Sequence, residues 1–170
     1  MPPAARKGLQ SIGAAIAALA AAAPAWAAPT ATVSAMIVRP LTLSWVQDLD
    51  LGTITFNPGT WSNATVAISR TGVLSCTNPN VICTGTTQVA QYNVIGTNKQ
   101  TLTIHAPNVT LVNQSDPSKT LTLTVDSPGS VALTNSGQPG TTFSLGGSIT
   151  VNSTTADGVY TGTFDVTVDY

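Results

Sequence analysis

Apolar residues along this chain recur at every second position. Val33, Ala35 and Ile37 open the series, and Leu41, Leu43 and Trp45 continue it, followed by Leu49 and Leu51. Later members are Ala64, Val66 and Ile68; Ala90, Tyr92 and Val94; Leu102 and Ile104; Val109 and Leu111; and Leu121, Leu123 and Val125. Val131 with Leu133, Phe143 with Leu145, and Ile149 with Val151 follow. Side chains alternate between the two faces of a strand, so this period predicts strands with one face in a core. No helical spacing persists for three turns. Turn signals such as Asn57-Pro58-Gly59, Asn78-Pro79-Asn80, Asp116-Pro117 and Ser127-Pro128-Gly129 punctuate the runs, and each brings its own local reason to reverse the chain. Many short strands at that spacing predict an all-β protein, a sandwich or a barrel.

The clearest alternation is in the last segment, where Tyr160, Phe164, Val166, Val168 and Tyr170 occupy even positions while Asp157, Asp165 and Asp169 occupy odd ones. It reads as one half-buried strand running to Tyr170, which makes this segment part of the core or part of a surface that another polypeptide completes. Leu49 and Leu51 are apolar at odd positions, but Ile54 and Phe56 at even ones, so a bulge at Gly52 is expected to turn all four inward. Pro40 cannot donate to a ladder, which predicts that the strand from Thr32 to Val38 ends or bends before Leu41. Residues 28–40 are thus an extended N-terminal arm or first strand, and residues 41–170 the sandwich domain.

Composition adds the compartment. Arg6 and Lys7 precede the alanine-rich apolar stretch Leu9 to Ala23, and Ala25-Trp26-Ala27 forms a small-x-small site. Residues 1–27 therefore read as a signal peptide cleaved after Ala27, with a retained anchor as the alternative. The expected location is the periplasm, cell surface or extracellular space, with no stable membrane insertion after cleavage. Past the signal, Arg39, Arg70, Lys99 and Lys119 face seven aspartates, and there is no glutamate. Scattered cations of that number do not suit a phosphate backbone, so no nucleic-acid partner is expected. Cys76 and Cys83 are the only cysteines, and in an exported chain such a pair is most simply a disulfide across a hairpin loop. Two thiols and the single His105 cannot make a four-ligand metal site, and no metal or cofactor is expected.

Several stretches together resemble a family. They are Val33 to Leu43, Asp48-Leu49-Asp50-Leu51-Gly52-Thr53-Ile54, Leu145-Gly146-Gly147-Ser148-Ile149-Thr150-Val151, and the segment from Gly158 to Tyr170. They look like the bacterial domain of unknown function 4402 family, itself similar to spore coat protein U and chaperone-usher fimbrial subunits. The resemblance implies an exported immunoglobulin-like, pilin-like β-sandwich and carries no catalytic residues. This chain departs from the family pattern at Leu51, where Phe is common, and in its cysteine loop.

Candidate chemistry is thin. His105 has no oriented nucleophile in sequence, and no Gly-x-Ser-x-Gly motif accompanies it. Asp48 and Asp50 share one face of a strand, the geometry of a solvated rim more than of a calcium site or a glycosidase pair. Gly146-Gly147 lacks the Lys-Ser or Lys-Thr of a phosphate loop and reads as a strand bend. Trp45, Trp61, Tyr92 and Tyr160 are candidates for a sugar-stacking platform. The expected function is non-enzymatic: a structural subunit whose arm, through Val33, Ala35 and Ile37, adds as a strand to a neighbour. Its acceptor or chaperone edge would be Tyr160, Phe164, Val166, Val168 and Tyr170. The alternatives are a self-complete carbohydrate-binding or adhesive module and a small outer-membrane barrel.

Overall fold

The computed structural model describes residues 31–170. The signal peptide expected at residues 1–27 and the first residues of the arm lie outside the described residues. The remainder falls into two units, one ending at Ala35 and one spanning Met36–Tyr170. Residues 31–41 carry no strand. Thirteen strands follow, and no helix occurs among the described residues.

The strands are β1 (Thr42–Gln47), β2 (Thr53–Phe56), β3 (Ala64–Ile68), β4 (Leu74–Ser75), β5 (Val81–Thr84), β6 (Ala90–Ile95) and β7 (Thr101–His105). After them come β8 (Val109–Asn113), β9 (Thr120–Asp126), β10 (Ser130–Ala132), β11 (Thr141–Val151), β12 (Tyr160–Thr161) and β13 (Thr167–Asp169). One sheet runs β1-β6-β11-β9-β8-β12, with β3 added to β11 and β4 to β3. A second runs β10-β7-β13, and β2 and β5 form a third. Every ladder is antiparallel. The fold is therefore the expected sandwich-like all-β architecture. A membrane barrel would need strands of about 9 to 11 residues throughout. Here β11 has 11 residues and the next longest, β9, has 7.

The long strand β11 organises the packing. Thr141–Leu145 pairs with β6, and Gly147–Val151 with β3. On the other side Gly146–Ile149 pairs with β9. Phe143 and Leu145 belong to one buried cluster, with Val94, Leu102 and Leu133. Ile149 and Val151 belong to the other, with Val66, Val109 and Leu123. Partner exchange happens at Gly146-Gly147, both buried. A Cβ on Gly146 would overlap the Ile68 carbonyl oxygen, and one on Gly147 would stand 2.9 Å from Leu123 Cδ1. The strand bend expected there is a close approach of three strands within one continuous strand.

Three local expectations change. The segment from Tyr160 to Tyr170 is not one strand: Tyr160–Thr161 pairs with β8, and Thr167–Asp169 with β7 in a different sheet. The alternation persists because Phe164, Val166 and Val168 still point inward while the chain crosses between sheets, and Phe164 packs against both clusters. Cys76 and Cys83 do form a disulfide. It does not close a hairpin, since β4, just before Cys76, pairs with β3, whereas β5, which holds Cys83, pairs with β2. The bridge ties the small sheet to the large one. Leu49 and Leu51 lie outside any strand, held by a single bridge between Asp50 and Gln88.

Candidate functional site

The main concavity is a cleft of about 1220 Å³, lined by apolar side chains together with Asp48, Asp50, Asp157 and several threonines. Its floor is the inner face of the large sheet. Val109, Leu123 and Ile149 stand opposite one another across β8, β9 and β11 in an apolar row that is itself buried, and Val66 continues the row on β3 outside the cleft lining. Leu111 pairs with Leu121 beside that row, and Val151 closes it.

One wall is built by Leu49, Leu51, Ile54 and Phe56. Their odd and even phases are reconciled at Gly52, whose φ of +74° lies in the left-handed region that side chains disfavour. A Cβ there would also stand 2.6 Å from the Thr84 carbonyl oxygen. Asp50 Oδ1 accepts the Gly52 N–H at 2.8 Å and holds the kink. All four apolar side chains are only half-buried, because the cleft is open on their side.

The segment from Thr155 to Phe164, including β12, also lines the cleft. Among the described residues β12 pairs with β8 alone and β2 with β5 alone. Both strands lining the cleft thus keep one side free of ladder hydrogen bonds, and unpaired backbone next to an apolar trough is a template for a further strand.

The expected edge residues divide accordingly. Tyr160 and Phe164 line the cleft, whereas Val166 and Val168 pack in the other cluster. Tyr170 is 44% exposed, and its hydroxyl donates to the Arg39 carbonyl at 2.6 Å. On the arm, Val33 is 92% and Ile37 91% exposed, and Ala35 is exposed too.

The aromatic candidates do not form one platform. Trp45 and Tyr92 face each other across β1 and β6 at one end of the cleft. Trp45 Nε1 donates to Asp48 Oδ1 at 3.0 Å, and Tyr92 stacks on Phe143 with centroids 5.7 Å apart. Burial, and secondarily the charge of Asp48, raises the Tyr92 phenol above its ordinary value. Trp61 instead meets Phe56 edge-on at 5.3 Å, and Tyr160 donates its hydroxyl to the Ala156 carbonyl at 2.8 Å. Asp48 and Asp50 are exposed at the rim, each engaged locally. His105 is exposed on β7. It shares a shallow surface depression with Ser127 and Asp165, but the Ser127 hydroxyl accepts the Gly129 N–H at 3.2 Å. Among the described residues no three metal-ligating side chains converge.

Sequence reasoning missed the floor as a site, because Val109, Leu111, Leu121 and Leu123 read simply as core.

The family model described as Domain of unknown function (DUF4402) matches residues 41–170. The chain belongs to this family. No curated protein and no solved structure matches it. The matched span begins at Leu41, so it takes in the whole cleft and leaves out Val33, Ala35 and Ile37 of the arm.

Proposed function

We propose that this protein is an exported structural subunit that assembles by β-strand addition. The observation that carries the reading is the cleft lined by β2 and β12, two strands that among the described residues each keep one edge without a ladder partner. A chain with an exposed arm of matching pattern, Val33, Ala35 and Ile37, carries the complementary element itself. In this reading the arm from Thr30 to Val38 of one copy lies in the cleft of the next, and a periplasmic chaperone occupies the same trough before assembly.

Magnitudes say what such a joint requires. Burying a valine and an isoleucine contributes about 1.5–3 kcal/mol each, while ordering the backbone costs about 1–2 kcal/mol per residue. Arm side chains alone do not stabilise the joint. Ladder hydrogen bonds, at about 0.5–1.5 kcal/mol each, and the drying of the cleft walls must supply the rest, which is why free edges and a half-exposed apolar lining belong to the same reading.

Deletion of residues 28–38 from the mature protein is expected to leave folded monomers that form no fibres in negative-stain micrographs. Fibres from the shortened protein would refute strand addition through this arm.

A further inference from the structure

Beyond strand addition and independent of it, we propose that the end of the cleft at β1 and β6 binds a neutral carbohydrate, which stacks on the Trp45 ring and donates hydroxyl hydrogen bonds to Asp48 and Asp50. Trp45 has the phase of an inward residue, since Leu41 and Leu43, four and two positions before it, both pack against the cluster that holds Leu133. It faces Tyr92 across β1 and β6, and Tyr92 faces Phe143 across β6 and β11. Three aromatics thus form one row, two strand spacings or about 10 Å long. Burial falls along it, from Phe143 at 6% exposed through half-buried Tyr92 to Trp45 at 63%. The row ends on bare indole because β1 pairs with β6 alone.

What the ring presents is its apolar face. Its polar edge is already satisfied, because Nε1 donates to Asp48 Oδ1 at 3.0 Å, and the side chain offers about 150–250 Å² of surface to a flat apolar partner. The carboxylates beside it are held by donors and not by a cation: Asp48 by the indole, Asp50 by the Gly52 N–H. The Asp48 charge is felt at the Tyr92 phenol, where it adds to the larger effect of burial, so phenol and carboxylate belong to one site.

Charge then selects the ligand. The cleft lining holds Asp48, Asp50 and Asp157 but no Lys, Arg or His. The one ion pair among the described residues, Arg70 with Asp126, has neither member in that lining. An anionic ligand is repelled. A neutral sugar ring has an apolar C–H face and a rim of hydroxyl donors, which match indole face and carboxylates lying side by side. A peptide strand fits this end poorly, because the β1 ladder shifts register between Trp45 and Gln47, and a bulge flanked by charge blunts an edge. A small cation would pair with the carboxylates in open water, where such pairs are weak, and would cover little of the ring.

Isothermal titration of the mature protein tests this with neutral hexasaccharides of glucose, N-acetylglucosamine, xylose and mannose, and with hexagalacturonate and hexalysine as charged probes. At least one neutral probe is expected to bind, and neither charged one. Trp45→Ala should weaken that binding about tenfold or more, the loss of an aromatic anchor, and Asp48→Ala should weaken it as well. A second measurement does not depend on those variants folding. In Trp61→Phe the only indole past residue 27 is Trp45, and its emission should shift to the blue as the sugar covers it. Silence of every neutral probe, binding that Trp45→Ala leaves unchanged, or emission that does not move would overturn the inference. Binding of either charged probe in place of a sugar would overturn it too. None of these outcomes touches strand addition, which arm deletion tests separately.

Discussion

Gly146 has ordinary strand geometry but no room for a methyl group, since its Cα faces the backbone of Ile68, Ser69 and Arg70. Gly146→Ala should therefore destabilise the fold by about 1–3 kcal/mol, as overpacking does. Gly137, with nothing within 4 Å of a built Cβ, is the control, and Gly137→Ala should stay within about 0.5 kcal/mol; urea midpoints compare the two. Asn113 is the one buried polar residue among the described residues, 1% exposed. Its Nδ2 donates to the Asp157 carbonyl at 2.7 Å, and its Oδ1 accepts the N–H groups of Ser115 and Asp116. Asn113→Ala strands those partners and should cost about 1–3 kcal/mol in the same measurement. Tyr92 contributes a pH dependence on the alkaline side. Its folded-state value lies above the unfolded 10.0, so the protonated phenol is favoured by folding. That contribution is complete below pH 10 and is lost as pH rises through the folded value. In an ultraviolet phenolate titration one tyrosine should ionise late. Asp48→Asn should bring it only part of the way back, because burial is the larger cause. Recovery of the full ordinary value would contradict that order.

Among the elements, the pair β2–β5 depends most on a covalent tie. Cys76 and Cys83 are separated by seven positions, and closing so short a loop stabilises by about 2.5 kcal/mol in the chain-entropy model. The double variant Cys76→Ser, Cys83→Ser should lose about that much. Hydrogen exchange should rise first in β2 and β5, whose ladder holds four residue pairs, and last in β11, which is paired on both sides. Uniform acceleration across all strands would mean that the bridge does not act on the small sheet. Period-two patterning found most of these elements, because a strand with one buried face must alternate. It failed at Leu49 and Leu51, which alternate without a ladder, and it could not see that Gly158 to Tyr170 serves two sheets, since an inward-facing crossing keeps the same phase as a strand.

At the scale of the whole molecule, the apolar residues that line the cleft yet stay half-buried, Leu49, Leu51, Ile54, Phe56, Leu111, Leu121 and Phe164, are the surface a further strand would cover. A peptide of residues 30–40 is expected to bind the arm-deleted protein and raise its melting temperature in a saturable way, by mass action on the folded state. The same peptide with Val33→Asp and Ile37→Asp should not, because burying an unpaired charge against the cleft's apolar side chains is costly. Equal stabilisation by both peptides would count against the cleft as the seat of the arm.

The residue pattern by itself determined an all-β fold, its turns, the inward kink at Gly52 and the pairing of two cysteines. Each of these follows from local rules: face alternation, backbone freedom at glycine, and the scarcity of other thiol partners. Which strands neighbour one another, where β11 changes partners, and that half-buried Leu111 and Leu121 line a cleft were decided only by tertiary packing. Those outcomes depend on contacts between residues far apart in the chain, and an apolar side chain carries the same local pattern whether it is fully buried or lines a cleft.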